Sequence, residues 1–132
     1  MSIPIAVKDF MVKNIITFRP DQNVFEVIDQ LIDTCISGGA VLDKDQNLVG
    51  IISEKDCMHT IVKSSYYDGM GALVSDLMTV EVDTVDINAS IHSTAQKFLD
   101  CHYRRFPVLE NGKLVGQVSR RDILKAVQSI PH

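Results

Sequence analysis

The sequence predicts an α/β fold of the α+β kind, built from two pseudosymmetric repeats with the element order β-α-β-β-α. Two observations predict this fold: the two halves of the chain are alike, and short β-prone stretches alternate with amphipathic helical patterns. Residues 7–11 (Val-Lys-Asp-Phe-Met) return as residues 74–78 (Val-Ser-Asp-Leu-Met), and residues 50–56 return as residues 116–122. Because a repeat of this size is marginally stable alone, we expect the repeats to pack through their small sheets.

The repeat pattern divides the chain of 132 residues into two repeats that form one globular module. The first repeat is expected over residues 1–63 and the second over residues 74–132. Residues 64–73, which are rich in serine and glycine, are the predicted linker.

The first strand and the first helix of each repeat follow from local signals. Strands are predicted at residues 15–18 and 82–85, which are β-prone and end in polar turns. Asn23 and Ser90 are the predicted N-caps of two helices in which apolar residues recur at helical spacing. Residues 38–39, both glycine, are expected to end the first helix in the left-handed conformation.

A β-hairpin follows in each repeat. In the first repeat, residues 40–42 and 48–52 flank a polar turn. In the second repeat, residues 107–109 and 114–118 flank Asn-Gly at residues 111–112, the strongest short hairpin signal. The predicted fold therefore has two small sheets, and the helices that begin after the hairpins bring the number of main helices to four.

The closing helices are expected to begin at Ser53 and Ser119, each followed by an aspartate three residues later. One interpretation is a capping box, in which the serine and Asp56 or Asp122 satisfy free backbone groups at the helix start. The other is an anion site, because a helix N-terminus attracts phosphate and an aspartate one turn in can accept the hydroxyls of a ribose. Neighbouring cations could pair with phosphate, and these are Lys55, Arg120 and Arg121.

The composition narrows the function classes. The net charge of −4 and a pI near 5.4 argue against nucleic-acid binding, which relies on basic surface. No apolar run reaches membrane-spanning length, and the N-terminus does not resemble a signal peptide. Cys35 and Cys57 fall on predicted apolar helix faces, so buried thiols in a reducing cytoplasm are expected. The cysteine spacing predicts no metal site.

In the order and spacing of its motifs, the chain resembles a tandem pair of CBS domains, the module named for cystathionine β-synthase. The resemblance rests on Asp-Phe-Met at residues 9–11, Asp-Leu-Met at residues 76–78, and residues 104–109 with 114–116. It rests above all on the G-x-x-S-x-x-D ending of both copies, and it covers roughly residues 7–62 and 74–127.

The resemblance implies a regulatory module that binds AMP, ADP, ATP or S-adenosylmethionine in two pseudosymmetric clefts between the repeats. Such a module would act in trans, as an energy or metabolite sensor, on a target protein that the sequence does not identify. For the first cleft the resemblance implies an adenine-side wall from one repeat, made of Ile16, Thr17, Gly39 and Ala40, and the motif residues Ser119, Arg121 and Asp122 from the other. For the second it implies Thr84, Phe106, Pro107, Ser53, Lys55 and Asp56. Arg104, Arg105 and Arg120 match possible phosphate contacts.

Two departures from the family pattern predict that the clefts differ. Ala40 stands where the family usually has proline, which makes the adenine side of the first cleft less rigid. Asp83 stands where the first repeat has the aliphatic Ile16, and a carboxylate is a poor neighbour for an adenine ring. We therefore expect one good site, built around Ser119 and Asp122, and a weaker second cleft.

Two other function classes stay open at this point. Catalysis would use Cys101 or one of the available histidines, which are His59, His92, His102 and His132. No catalytic spacing appears among them, so we expect no enzyme. The alternative to a ligand sensor is a protein-interaction module without ligand. Pairs of this family commonly form homodimers through their helices, so a homodimer is expected in either case.

Overall fold

The computed structural model describes residues 5–62 and 72–131, with the side chain of Ile61 excepted. Most of the predicted linker at residues 64–73 therefore lies outside the described residues. The chain forms two compact units. The first-repeat unit spans residues 16–82, and the second-repeat unit combines residues 1–15 with residues 83–132.

The first-repeat unit contains one three-stranded sheet, ordered β1-β2-β3, and its helices. Strand β1 pairs parallel with β2, and β2 pairs antiparallel with β3, as a βαβ crossover followed by a hairpin requires. The elements in chain order are β1 (Thr17–Phe18), α1 (Val24–Thr34), β2 (Gly38–Leu42), β3 (Leu48–Ser53), α2 (Glu54–Val62) and α3 (Val74–Leu77).

The second-repeat unit has the same plan, with a sheet ordered β4-β5-β6. Strand β4 pairs parallel with β5, and β5 pairs antiparallel with β6. Its elements are a 3-10 turn (Val7–Asp9), β4 (Val85–Asp86), α4 (Ile91–Leu99), β5 (Arg105–Glu110), β6 (Lys113–Ser119) and α5 (Arg120–Gln128). The predicted β-α-β-β-α order and the α/β class are confirmed in both repeats.

The segment that begins each sequence repeat pairs with the sheet of the other repeat. Val12 and Gln117 exchange two backbone hydrogen bonds of 2.8 and 2.9 Å, and Thr79 and Ile51 exchange two of 2.8 and 2.9 Å. Gly116 makes room for this contact, because a Cβ at that position would collide with the carbonyl oxygen of Val12. The glycine of the G-x-x-S-x-x-D motif in the second repeat is thus required by the fold.

Each unit has its own apolar core, in which the helices cover the sheet. Fully buried residues of the first core include Phe18, Val24, Val27, Val41 and Ile52. Fully buried residues of the second core include Val7, Phe106, Val108, Val118 and Ala126.

Several local predictions are confirmed at the level of single hydrogen bonds. The Asn23 side chain accepts from Phe25 N at 2.8 Å, and the Ser90 hydroxyl accepts from Ser93 N at 3.0 Å, so both N-caps are real. In the second hairpin, residues 111–112 have φ of 51° and 79°, the positive values that a tight hairpin turn of this kind needs.

Other local predictions are wrong. Gly38 and Gly39 do not end the first helix, because both lie in β2. The left-handed residue at the end of α1 is Cys35, with φ of 57°. Cys35 is also exposed, although a buried thiol was predicted there, whereas Cys57 is buried as predicted. The strand predicted at residues 82–85 begins only at Val85.

Candidate functional site

Both S-x-x-D motifs are complete capping boxes. Ser119 donates from its backbone N and from its Oγ to Asp122 Oδ2, at 2.8 and 2.9 Å, while Asp122 N donates to Ser119 Oγ at 3.2 Å. Ser53 and Asp56 make the same three hydrogen bonds at 2.9, 2.9 and 3.2 Å. Capping engages Oδ2 alone, and no hydrogen bond within the described residues uses Oδ1 of either aspartate. A carboxylate can therefore cap its helix and still accept from a ligand.

Four arginines belong to the chain segments that meet at the start of α5. Arg105 is the strand partner of Ser119, and Arg120 N donates to the carbonyl oxygen of Arg104 at 3.2 Å. Arg120 and Arg121 form the first turn of α5 and are exposed, as is Arg104. The structure thus brings these four residues and the Ser119 cap to one helix N-terminus, where the helix dipole adds partial positive charge.

The matching helix start in the first-repeat unit lacks this charge. Gly38 is the strand partner of Ser53, and Glu54 N donates to the carbonyl oxygen of Ser37 at 2.9 Å. The first turn of α2 carries Glu54 and Lys55, whose formal charges cancel. The two helix starts have the same backbone geometry and differ by four positive charges.

The structure brings together the four predicted adenine-side residues of the first repeat. Thr17 is the parallel partner of Ala40, and a Cβ at Gly39 would lie 3.0 Å from the carbonyl oxygen of Ile16. Thr17 is exposed and Ile16 is half-buried, while Gly39 and Ala40 are buried. We call Ile16, Thr17, Gly39 and Ala40 the first wall.

The equivalent residues of the second repeat, Thr84 and Pro107, form what we call the second wall. Pro107 is buried in β5, and Thr84 is half-buried just before β4. The ring of Phe106 is fully buried in the core and is not part of an exposed surface. The carbonyl oxygen of Thr84 accepts a hydrogen bond from Lys97 of α4, and no local pattern in the sequence predicts a role for this lysine. The assignment of either wall to a cleft remains a prediction.

Over residues 5–62 and 72–131, no cluster of three or more histidine, cysteine, aspartate or glutamate side chains could hold a metal ion. No helix within the same residues has the length and apolar character needed to cross a membrane.

The two repeats, their capping boxes and their sheets define a tandem α/β repeat module. The family model for the CBS domain matches residues 7–63 and again residues 74–129. The chain belongs to the CBS domain family and carries a tandem pair of these domains.

Among curated proteins, the chain is similar to the CBS domain-containing protein CBSX1 of Arabidopsis thaliana, with 28% identity over 95% of this chain. It is also 28% identical, over 92% of its length, to protein MJ1426 of Methanocaldococcus jannaschii and covers 90% of that protein. The chain spans 65% of CBSX1 and 43% of another relative, MJ1225 of the same archaeon.

Solved structures show the same fold. The crystal structure of the CBS-pair protein CBSX2 from Arabidopsis thaliana has a TM-score of 0.84 and 25% identity, covering 96% of each chain. A structure of CBSX2 in complex with AMP has a TM-score of 0.81 and 27% identity, covering 93% of this chain and 96% of that one.

Proposed function

We propose that this protein is a regulatory module that binds a phosphate-bearing adenosyl nucleotide, namely AMP, ADP or ATP, and acts on a separate target protein as an energy or metabolite sensor. The observation that carries the proposal is the group of four arginines around the Ser119 cap at the start of α5. The AMP complex of CBSX2, a protein of the same family, supports the ligand class.

The phosphate and the ribose would bind at the start of α5. Ser119 and the first N–H groups of α5 supply neutral donors, and Arg121 with its neighbours Arg104, Arg105 and Arg120 supplies charge-assisted donors for phosphate oxygens. Asp122 Oδ1 would accept from the ribose hydroxyls while Oδ2 keeps its capping bonds. The aspartate is only 8% exposed, so its orientation is fixed before a ligand arrives.

The first wall has the chemistry that an adenine ring requires. Ile16 offers an aliphatic side chain, and the buried Gly39 and Ala40 expose no polar side chain that would have to lose water. Thr17 adds an exposed hydroxyl and the backbone of a strand edge. An adenine edge carries both donors and acceptors, which the backbone at such an edge can match.

The charge at α5 favours a nucleotide over S-adenosylmethionine. Four arginines attract a phosphate, whereas the sulfonium of S-adenosylmethionine carries a positive charge and would be repelled by them. We expect AMP, ADP and ATP to bind more tightly than S-adenosylmethionine, and adenosine, which lacks phosphate, to bind weakly.

The start of α2 is proposed to attract a phosphate more weakly than the start of α5 does. Ser53 and Asp56 repeat the capping geometry, but Lys55 is balanced there by Glu54. A phosphate would gain less electrostatic attraction at that helix than at α5.

The proposal is for a binding protein and not for an enzyme. At the start of α5, the serine, the free N–H groups and the arginines are hydrogen-bond donors, and Asp122 is an acceptor for ligand hydroxyl groups. Such a set of groups suits the reversible binding of a ligand. The thiol of Cys57, buried and free, is consistent with a location in a reducing cytoplasm.

Thermal stability with a ligand panel tests the proposal. A nucleotide present at 100 times its dissociation constant should stabilise the fold by about 2.7 kcal/mol, a melting shift on the order of 5 °C or more. The panel is AMP, ADP, ATP, adenosine and S-adenosylmethionine. The matched variants are Arg121→Ala, expected to lose most of the shift, and Lys55→Ala, expected to keep it. No shift with any nucleotide contradicts the proposal.

A second property, homodimer formation, is supported by a separate observation. Large apolar side chains are exposed at matching positions of the two repeats: Ile32 (69%) and Leu99 (80%) at the ends of α1 and α4, and Met58 (56%) and Leu124 (67%) in α2 and α5. Exposed apolar groups repeated in this way are typical of a helical interface. The interaction module without ligand would use the same exposed apolar side chains.

A further inference from the structure

At the second wall, the ammonium group of Lys97 is hydrogen-bonded to the backbone of Thr84. Its Nζ lies 2.7 Å from Asp83 Oδ1 and donates to the carbonyl oxygen of Thr84. The same nitrogen lies 5.0 Å from the centroid of the Phe106 ring, within the range of a cation–π contact. Three groups from β5 and from the segment before β4 therefore hold one cation at this wall.

The matching positions of the first repeat carry no charge. Ile16 stands where the second repeat has Asp83, and Gln30 of α1 stands where it has Lys97 of α4. The first wall thus presents an aliphatic group and an amide where the second presents an ion pair. The strand registers that support this alignment are Phe18 with Val41 and Val85 with Val108.

An adenine ring at the second wall would have to displace this cation. Lys97 already donates to the Thr84 carbonyl oxygen and places a positive charge beside this backbone acceptor, which disfavours the approach of a second donor such as the amino group of adenine. An inserted ring would also separate the ammonium from Asp83 and strip water from both charges. Because both side chains are partly exposed, the cost arises only on ligand binding, when two charges that water now solvates would be covered without a partner.

The ion pair contributes little to the stability of the fold. The side chains of Lys97 and Asp83 are 32% and 48% exposed, and pairs in contact with water are weakly stabilising. Its removal should therefore be tolerated, which makes the pair accessible to a test by substitution.

We infer that the Asp83–Lys97 pair determines which of the two walls can bind adenine. The pair keeps the second wall closed to adenine and so limits the chain to one bound nucleotide. This inference rests on the proposed function. It predicts that the first-repeat residues, transplanted to these two positions, open a second adenine site.

Titration calorimetry with AMP on the full chain tests the inference through stoichiometry. The wild-type protein should bind one AMP per chain, and the double variant Asp83→Ile with Lys97→Gln should bind two. The reciprocal double variant, Ile16→Asp with Gln30→Lys, should bind none. Lys8→Gln, which removes an exposed lysine elsewhere in the second-repeat unit, should behave as the wild type.

The outcomes separate this inference from the proposed function. Two AMP molecules on the wild-type chain, or one on the folded Asp83→Ile/Lys97→Gln variant, overturn the inference and leave the proposed function intact. No AMP on the wild-type chain overturns both. Circular dichroism establishes whether each variant is folded. If Asp83→Ile/Lys97→Gln is unfolded, the reciprocal variant Ile16→Asp/Gln30→Lys decides, and AMP binding retained by that variant overturns the inference.

Discussion

Phe18 lies directly against Gly39 in the first core, so closely that a Cβ on the glycine would stand 2.9 Å from Cε2 of the ring. In the second core the sizes are exchanged, with Val85 in place of the phenylalanine and Phe106 in place of the glycine. Both rings are almost fully buried. The two repeats therefore fill the same space beneath the sheet with one aromatic ring, supplied by different strands.

The substitution Gly39→Ala should destabilise the protein by about 1–3 kcal/mol, the usual cost of overpacking a core. The added methyl group meets the Phe18 ring and, at 3.0 Å, the carbonyl oxygen of Ile16, which belongs to the backbone and cannot easily move. Denaturant unfolding measures the loss. The double variant Phe18→Val with Gly39→Ala should be more stable than the two separate losses predict, and simple additivity would contradict the packing argument.

The thiol of Cys57 should resist alkylation in the folded protein. Burial, with smaller contributions from the charges of Asp56 and Glu54, raises the pKa of Cys57 from 9.0 to about 11. Since the thiolate is the reactive form, iodoacetamide at pH 8 should modify the exposed Cys35 and spare Cys57. Mass spectrometry of labelled peptides gives the pattern, with denatured protein as the control. Equal labelling of the two folded-state thiols would refute the assignment.

The same pKa makes stability depend on pH in the alkaline range. A folded-state pKa above the unfolded value means that the folded protein holds the proton more tightly. The contribution of Cys57 to the free energy of unfolding is therefore fully present below pH 9. It declines as pH rises from 9 towards 11, because the Cys57 thiol of the unfolded chain then loses its proton before that of the folded protein. The free energy of unfolding should fall less between pH 8 and pH 10 in Cys57→Ala than in the wild type. Parallel curves for the two proteins would contradict this linkage.

The helix caps and the second hairpin could be predicted because each depends on neighbours in sequence. Ser119 meets Asp122 three residues later, and Asn111-Gly112 forms its turn without help from the rest of the chain. Cys35 was missed because its left-handed conformation has no strong local signal. The nearby glycines were assigned that role, whereas Gly39 is required by the ring of Phe18 from another strand.

The contacts that sequence reasoning missed join distant residues. The pairing of Val12 with Gln117 links the start of the chain to the second sheet, and no local pattern encodes it. Lys97 did have a signal: compared with the first repeat, Asp83 and Lys97 introduce opposite charges together. Two such departures suggest contact, but only the structure shows that the cation also takes the carbonyl oxygen of Thr84.

The protein should sediment as a homodimer at micromolar concentration, about twice the monomer mass of 14.7 kDa. The exposed Leu99 and Leu124 are the expected contacts in the second-repeat unit. The double variant Leu99→Glu with Leu124→Glu should shift the protein to monomer, since charges in an apolar interface lose hydration. Glu substitutions at the exposed, polar His92 and Lys125 are the control. A wild-type protein that sediments as a single monomeric species would contradict the proposed interface.

The two capping aspartates provide a matched pair for separating the capping role from ligand binding. Asp122 and Asp56 make the same three hydrogen bonds with lengths that agree within 0.1 Å. Asp122→Ala and Asp56→Ala should therefore cost similar stability, about 1 kcal/mol each from the lost cap. Only Asp122 lies beside the arginine-rich start of α5, so only its loss should strongly weaken nucleotide binding.

The expected loss for Asp122→Ala is about 1.5–3 kcal/mol of binding free energy, the range for hydrogen bonds to a charged group, or roughly 10- to 150-fold in affinity. Asp56→Ala should change affinity much less, because its helix start carries no net positive charge. Calorimetry with AMP on both variants measures the difference, and unfolding experiments check that the stability losses match. Equal losses of affinity would mean two working sites and refute the asymmetry. Unchanged affinity in both would leave Asp56 and Asp122 with the capping role alone.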